Sequence, residues 1–250
     1  MRKLTAALVA AGVVVLAAAL PARAGIRVQE VDPEFPEDVT TSVFQGGMAR
    51  VDGALEGLTV IIDVKNGEGW LIDAATKRYA GGKIPTLAEE LRKVEQSQAD
   101  EAAAGDGRKG AGETGKARAV QVKDMGPAER LQGYDTRRYQ VLVDGELLEE
   151  LWLAPKLEIG REIDLAAFGV GMQKMLGGGG ELSQGYEESE AYRKLRATGY
   201  PLRQVLYFVG EKSTLEAKSV TIQGFPPSDF AVPTGFTKVG YAELLLGESE

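Results

Sequence analysis

The stretch LTVIIDVKNGEGWLIDA, residues 58–74, contains two β-rich runs on either side of a tight-turn dipeptide. The runs at 58–65 and 69–74 carry the β-branched and aromatic side chains that are typical of strands. Asn66-Gly67 lies between them, and this dipeptide tolerates the positive φ angles of a hairpin turn. The stretch therefore predicts two antiparallel strands joined by a short turn.

Two further pairs of apolar runs predict hairpins later in the chain. One pair, within residues 139–153, flanks Asp144-Gly145, which has the same turn chemistry. The other pair lies within residues 203–222 and is connected through a short segment that contains a glycine. Hairpins in succession, without regular alternation of strand and helix, predict a meandering antiparallel sheet.

Three segments have the residue pattern of helices, and with the strands they predict an α+β fold. They are residues 86–98, 163–176 and 186–198. The first begins at Thr86, three residues before Glu89, which is the pattern of a capping box. The second carries Phe168, Met172 and Met175 on one face. The third is acidic at its start and basic towards its end, as the helix dipole favours.

Residues 96–117 differ in composition from the rest of the chain. They are rich in Ala, Gly, Glu, Asp and Lys and contain almost no large apolar side chain. Such a composition predicts a flexible insertion. Because a hairpin-rich sheet tolerates a surface insertion, residues 25–250 are expected to form a single domain.

The first 24 residues have the pattern of an export signal. Arg2 and Lys3 precede an apolar run at residues 4–20, and Pro-Ala-Arg-Ala at 21–24 supplies a small-x-small cleavage site. We expect cleavage after Ala24 and a periplasmic or secreted protein without a transmembrane segment in the mature chain. Because the chain has no Cys, no lipid anchor is expected either.

The composition excludes several classes of function. The 250 residues include no His and no Cys, so thiolate zinc sites and Cys- or His-based catalysis are excluded. The formal net charge of −8 argues against a nucleic-acid partner, which would require a basic face. No cofactor or metal site is predicted.

Acidic residues offer the remaining candidates for chemistry. Glu149 and Glu150 are adjacent on a predicted strand, so their side chains should point to opposite faces and cannot converge. Asp63 and Asp73 lie on facing hairpin strands and are candidates to be neighbours. We expect ordinary solvated carboxylates at these positions and no enzymatic activity; a carboxylate-based hydrolase is the least favoured hypothesis.

Four blocks of the sequence resemble a family of bacterial envelope proteins, domain of unknown function 4412. They are IID at 61–63 continuing through GWLIDAATKRY at 69–79, QGYDTRRY at 132–139, EELWLA at 149–154, and DFAVPTGF at 229–236. Their order and spacing carry the resemblance, which extends from about Val39 to Val239. The insertion at 96–117 and the glycine run at 177–180 depart from the family pattern and affect expected loop lengths.

The resemblance implies a fold like that of the lipoprotein carrier LolA. In that fold, a curved antiparallel half-barrel has helices over its concave face, and acyl chains lie between sheet and helices. The implied function is a non-enzymatic carrier of a lipid or lipoprotein acyl chain. The residues expected to contact the ligand are Val60, Ile62, Trp70, Ile72, Trp152, Leu206, Phe208, Phe168, Met172 and Met175.

Two alternatives remain open. The helical stripe of Phe168, Met172 and Met175 is also compatible with simple packing on the sheet, as most apolar helix faces are. The second hypothesis for the whole protein, after the carrier, is an envelope protein-interaction scaffold that has no ligand cavity. An open apolar space inside the fold would favour the carrier, and a filled interior would favour the scaffold.

Overall fold

A computed structural model describes residues 24–55, 57–106, 118–176, 186–208 and 211–246. The predicted signal peptide at 1–24, except Ala24, lies outside these ranges, as do residues 107–117 of the predicted insertion and the glycine run at 177–180. The side chain of Phe208 is also outside the described part of the structure.

The described residues form one large, mostly antiparallel sheet with a few helices. Its 12 strands have the order β12-β6-β5-β4-β3-β2-β1-β11-β10-β9-β8-β7. Two meanders, β1 to β6 and β7 to β11, are joined where β1 pairs with β11, and the sheet is not closed. The short strand β12 pairs in parallel with β6. The predicted α+β class with a meandering antiparallel sheet is therefore confirmed.

The strands are β1 (Gly25–Asp32), β2 (Phe35–Gln45), β3 (Met48–Leu55), β4 (Leu58–Asp63), β5 (Glu68–Asp73), β6 (Arg78–Lys83), β7 (Val120–Pro127), β8 (Arg137–Val143), β9 (Glu146–Ala154), β10 (Tyr200–Phe208), β11 (Glu211–Gln223) and β12 (Thr237–Lys238). The helices are α1 (Ile84–Asp106), α2 (Leu165–Leu176), α3 (Glu190–Arg196) and α4 (Tyr241–Leu246). Short 3₁₀ turns occur at Ile159–Arg161 and Pro227–Phe230.

The three predicted hairpins form as β4–β5, β8–β9 and β10–β11. Asp144 and Gly145 both have positive φ, 54° and 90°, as the tight turn between β8 and β9 requires. Between β4 and β5 the turn is longer, and of the predicted dipeptide only Gly67 takes a positive φ, 62°. Gly therefore supplies the conformational freedom in both turns.

Helix α1 is longer than predicted. It begins at Ile84 and ends at Asp106, so Thr86 lies inside the first turn and is not its N-cap. The helix also includes residues 96–106, which the sequence predicts to be part of a flexible insertion. The physical reason is that Ala, the commonest residue in this segment, is the strongest helix former even where no apolar face is present.

Helices α2 and α3 begin at capping residues that the sequence supplies. The Asp164 carboxylate accepts hydrogen bonds from the backbone N–H groups of Ala166 and Ala167, both at 3.0 Å. The Ser189 hydroxyl accepts one from the N–H of Tyr192 at 3.2 Å. These caps satisfy donors that the first turn of a helix leaves without partners.

We call the side of the sheet that packs against the helices the helix-side face and the other the far face. The helix-side face carries Val60, Ile62 and Leu71, which pack in one cluster with Leu87, Leu91, Met175 and Tyr241 of the helices. The same face continues to β9, where Leu151 and Leu153 pack against Tyr192 and Leu195 of α3. On the far face, Val43 packs against Phe225 and Phe230.

Candidate functional site

A cleft of about 480 Å³ lies between α2 and the helix-side face of the sheet. Its walls are formed by α2, the α3 region, and strands β1, β2, β3, β10 and β11. The cleft thus spans the line where the two meanders meet. One part of its wall is apolar, and another part carries ionisable and hydrogen-bonding side chains.

The apolar wall is built mainly by α2. Phe168, Met172 and Leu176 occur at intervals of four residues and therefore lie on one face of the helix. Val51 and Ala54 of β3 form apolar wall on the side of the sheet. The side chains at these five positions are hydrocarbon or thioether and give this part of the cleft an adaptable lining.

Two observations describe the space beside α2. The Phe168 ring packs edge-on against Phe44 of β2, with ring centres 5.4 Å apart, and this contact with the sheet fixes the position of the Phe168 ring. A Cβ atom at Gly169, which also lines the cleft, would meet nothing within 4 Å. Open space therefore begins directly at the helix backbone.

The polar wall is built around Glu30 of β1. Tyr200 donates a hydrogen bond from its hydroxyl to Glu30 Oε2 at 3.1 Å. Burial raises the pKa of Glu30 to about 7, although the bond from Tyr200 and the charge of Arg196 act in the opposite direction. Near neutral pH this carboxyl group therefore exchanges a proton readily, inside a cleft with apolar neighbours.

Glu149 lies behind this wall and is completely buried. Its Oε1 accepts hydrogen bonds from the Tyr192 hydroxyl at 3.2 Å and from the Gln204 amide at 2.6 Å. Its Oε2 is buried and has no hydrogen-bond partner among the described residues. Burial raises the pKa of Glu149 to about 7, so much of this group is protonated at neutral pH.

Arg196 is the cation of the polar wall. It lines the cleft, and among the residues that the structure describes it forms no hydrogen bond and no ion pair within 4 Å. Its charge nevertheless acts on Glu30, Glu149 and Glu187, in each case lowering the pKa against the effect of burial. The guanidinium group therefore lies among three carboxyl groups without touching any of them.

A second cleft, of about 490 Å³, adjoins the first at Arg196. It lies beside the first turn of α2, and Leu165 and Ala166 line both spaces. Arg196 is thus accessible from two sides.

The structure brings together some of the ligand-contacting residues that the sequence predicts. Phe168 and Met172 line the cleft. Val60, Ile62 and Met175 lie on the same side of the sheet, in the cluster packed beneath the helices, and are nearly or completely buried. They support the cleft rather than line it.

Trp70 and Ile72 lie on the opposite face. A Cβ at Gly69 would be only 2.2 Å from Met175 Sδ, so Gly69 faces α2 and the next residue, Trp70, faces away. Trp70 instead lies over Gly81 of β6. The expected inward face of β5 is therefore wrong by one residue, and this shift moves both side chains to the far face.

Trp152 also lies on the far face. Its neighbours Leu151 and Leu153 contact α3, whereas the Trp152 ring is sandwiched between Arg138 and Arg203, whose guanidinium carbons are 5.0 and 5.3 Å from the ring centre. Leu206 is on the helix-side face, opposite Glu149 in the β9–β10 pairing, but outside the cleft wall. Phe208 ends β10, and its side chain is outside the described structure.

The structure departs from the prediction at both acidic pairs. Glu149 and Glu150 do point to opposite faces, as predicted, but neither is solvated, because their exposures are only 0% and 4%. Asp63 and Asp73 are not neighbours, since Asp63 pairs with Glu68 and Asp73 with Leu58 at the other end of the hairpin. Each of these aspartates binds its own turn.

Sequence analysis missed Glu30 and Arg196. Both carry a weak signal in retrospect. Glu30 follows Ile26 and Val28 at intervals of two, which puts it on the buried face of β1. Arg196 follows Tyr192 by four residues, which puts it on the buried side of α3. A charge that interrupts an apolar face at the right period is the pattern to look for.

Among residues 24–55, 57–106, 118–176, 186–208 and 211–246, no group of three or more acidic side chains is placed to hold a metal ion. No helix in these ranges has both the length and the apolar character to cross a membrane.

Known proteins that match this chain are found among solved structures, but not among protein families or curated proteins. No protein-family profile matches the chain, and no curated protein matches it. One solved structure, described as the structure of PNGF-II in a C2 space group, aligns with 90% of this chain at 13% identity and a TM-score of 0.44. The chain spans about a third of that protein's length, 33%. A likeness at this level supports no conclusion about function, and the resemblance to domain of unknown function 4412 stays a prediction.

Proposed function

We propose that this protein is a non-enzymatic binding or carrier protein for a lipid or a lipoprotein acyl chain, and that the chain lies in the cleft beside α2. The observation that carries the proposal is the open space of about 480 Å³ with Phe168, Met172 and Leu176 along one wall. Its volume falls within the range of small-molecule sites, which are about 300–1,000 Å³.

The proposal includes a finer description of the fold. In it, the sheet bends as a half-barrel, the helix-side face is concave, and α1, α2 and α4 cover that face. It is supported by the cluster in which residues of these three helices pack with β3, β4, β5 and β6. The space next to this packed region is then the one that the ligand enters.

The driving force would be burial of hydrocarbon. Each CH₂ group transferred from water contributes about 0.8 kcal/mol. Binding also costs the acyl chain conformational entropy, so most of the chain must be enclosed for the net free energy to favour binding. Adaptable Met and Leu side chains suit a ligand of irregular shape. Export to the periplasm, expected from the first 24 residues, would place such a carrier between two membranes.

Filling the cleft tests the proposal. A Gly169→Phe variant directs a ring into space that is open at the helix backbone, and the matched control is Ala167→Phe on the exposed side of α2. The purified protein, freed of bound lipid, is titrated with the neutral apolar dye N-phenylnaphthylamine and then with monolaurin as competitor. We expect the wild type and Ala167→Phe to bind both, and Gly169→Phe to lose at least about tenfold in affinity.

Two results would contradict the proposal. If the wild type takes up neither dye nor monolaurin, the carrier function fails and the envelope interaction scaffold is favoured. If both Phe variants bind like the wild type, a ligand site exists elsewhere and the cleft is not it. Circular dichroism of the two variants establishes that each retains the fold.

A further inference from the structure

The polar end of the cleft contains charges of both signs, and this observation leads beyond an apolar chain. The inference rests on the proposed function, because it concerns the head group of the bound amphiphile. Arg196, Glu30 and Glu187 all line the cleft. Glu149 lies just behind them and feels the charge of Arg196.

The other polar groups nearby already have partners. The hydroxyl of Tyr192 and the amide of Gln204 donate to Glu149. The hydroxyl of Tyr200 donates to Glu30 Oε2. Among the described residues, Glu30 Oε1 and the Arg196 guanidinium have no hydrogen-bond partner. These groups are therefore available to a ligand.

The charge arrangement disfavours a head group of one sign. When the carboxyl groups of Glu30 and Glu187 are ionised, they repel an anion bound beside Arg196, and Arg196 repels a cation bound beside them. A head group that carries one negative and one positive charge would pair its anion with Arg196 and its cation with the carboxylates. Among the described residues, Arg196 forms no ion pair within 4 Å, so its guanidinium group and the carboxylates around it are not already paired with one another.

We propose that the cleft selects an amphiphile whose head joins a phosphate to a primary ammonium group, as in an aminophospholipid, with Arg196 binding the phosphate and Glu30 and Glu187 binding the ammonium. Arg196 suits this role because a planar guanidinium group binds two phosphate oxygens at once. The second cleft gives its other side access to solvent or to more of the head group.

A panel of ligands with one chain and different heads tests this assignment. Lauroyl-lysophosphatidylethanolamine, lauroyl-lysophosphatidylglycerol, laurylamine and monolaurin are used to displace N-phenylnaphthylamine from the wild-type protein at pH 8, above the pKa of about 7 of Glu30. We expect the ethanolamine lipid to bind at least about tenfold more tightly than the other three.

Variants identify the groups responsible. Arg196→Gln should abolish the advantage of the ethanolamine lipid over laurylamine. Glu30→Gln should narrow the difference between the ethanolamine and glycerol lipids. Arg193→Gln is the matched control, because Arg193 lies on the exposed side of the same helix. Circular dichroism establishes that each variant retains the fold.

The remaining outcomes overturn the inference. Equal binding of all four compounds means that the head group is not selected, while the carrier function stands. Equal binding of the two phospholipids means that only the anion is recognised. If no compound displaces the dye, the proposed carrier function fails as well. Loss of preference in Arg193→Gln would assign the effect to the net charge of α3 instead of Arg196.

Discussion

Glu149 and Glu150 are neighbours on β9, yet they belong to two different electrostatic environments. Glu149 is on the helix-side face, where burial raises its pKa to about 7. Glu150 is on the far face, where its pKa is lowered although burial acts in the opposite direction. Both side chains are almost inaccessible to solvent, at 0% and 4% exposure.

The donors around the two carboxyl groups explain the difference. Glu150 accepts hydrogen bonds from Arg138, from Gln140 at 2.8 Å and from Tyr207 at 2.9 Å. Glu149 accepts two bonds from neutral donors at one oxygen, and its other oxygen has none among the described residues. The number and charge of the donors, rather than burial alone, therefore decide which carboxyl group stays ionised.

The same contrast extends over the two faces. The far face pairs its charges directly: Glu129 accepts from Trp152 at 3.0 Å and from Arg203, and Arg203 also pairs with Glu216 at 2.8 Å. On the helix-side face, Arg196 and its carboxylate neighbours remain apart. Paired charges typify a structural surface, whereas unpaired ones beside a cleft typify a binding site.

The largest expected effect is on Glu149. Glu149→Gln keeps an oxygen for Tyr192 and Gln204 and removes the ionisable group. Because the folded pKa of about 7 exceeds the ordinary 4.5, the unfolded chain loses its proton first, and the wild type loses stability between pH 4.5 and 7. We therefore expect the variant to be more stable than the wild type by up to about 3 kcal/mol above pH 7, with little difference at pH 4.

Urea unfolding across this pH range measures the effect. Glu30 has a similarly raised pKa and remains in the variant, so part of the pH dependence should persist. A variant less stable than the wild type at pH 8 would mean that the Glu149 carboxylate is stabilised by a group that the described residues do not include.

The next largest effect should have the opposite sign. Glu150→Gln removes the charge that holds Arg138, whose Nε is already buried without a partner among the described residues. We expect a loss of about 2 kcal/mol at pH 7, because hydrogen bonds to charged groups contribute about 1.5–3 kcal/mol each. Since the folded pKa is lowered from 4.5, this stabilisation is present above pH 4.5 and is lost as the pH falls through the folded value.

The two variants are compared by their urea concentrations of unfolding. At pH 7 Glu149→Gln should unfold at higher urea than the wild type and Glu150→Gln at lower urea, and both differences should shrink in acid. If both variants are more stable than the wild type at pH 7, burial alone governs both sites.

Sequence patterns predicted the hairpins well and the faces of some strands poorly. Asp144-Gly145 fixes its turn locally, because only a few residue types adopt two successive positive φ angles. No comparable local signal shows which side chains of β5 face the helices. Its inward residue is Gly69, and Met175 of a helix about a hundred residues later fills the space above it. No local pattern indicates a glycine as the buried member of the pair.

The polar wall was harder still to predict. Glu30 and Arg196 are separated by most of the chain, and their proximity depends on the β1–β11 pairing that joins the two meanders. Each alone is an ordinary charged residue in the sequence. Only the topology brings them to one cleft, so the head-group site could not follow from periodicity or composition.

The smallest expected effect is on ligand binding, and it compares a residue of the cleft with a residue of the far face. Met172 lines the cleft, whereas Trp70 lies on the far face above Gly81, although the sequence placed both in one site. Met172→Ala should weaken N-phenylnaphthylamine binding about tenfold, since it removes about two buried methylene equivalents of contact at about 0.8 kcal/mol each. Trp70→Phe should leave the dissociation constant unchanged within about twofold, because it changes only packing behind the sheet. If Trp70→Phe weakens the dye as much as Met172→Ala does, the ligand lies on the far face, and the Arg138–Trp152–Arg203 surface becomes the better candidate for its head group.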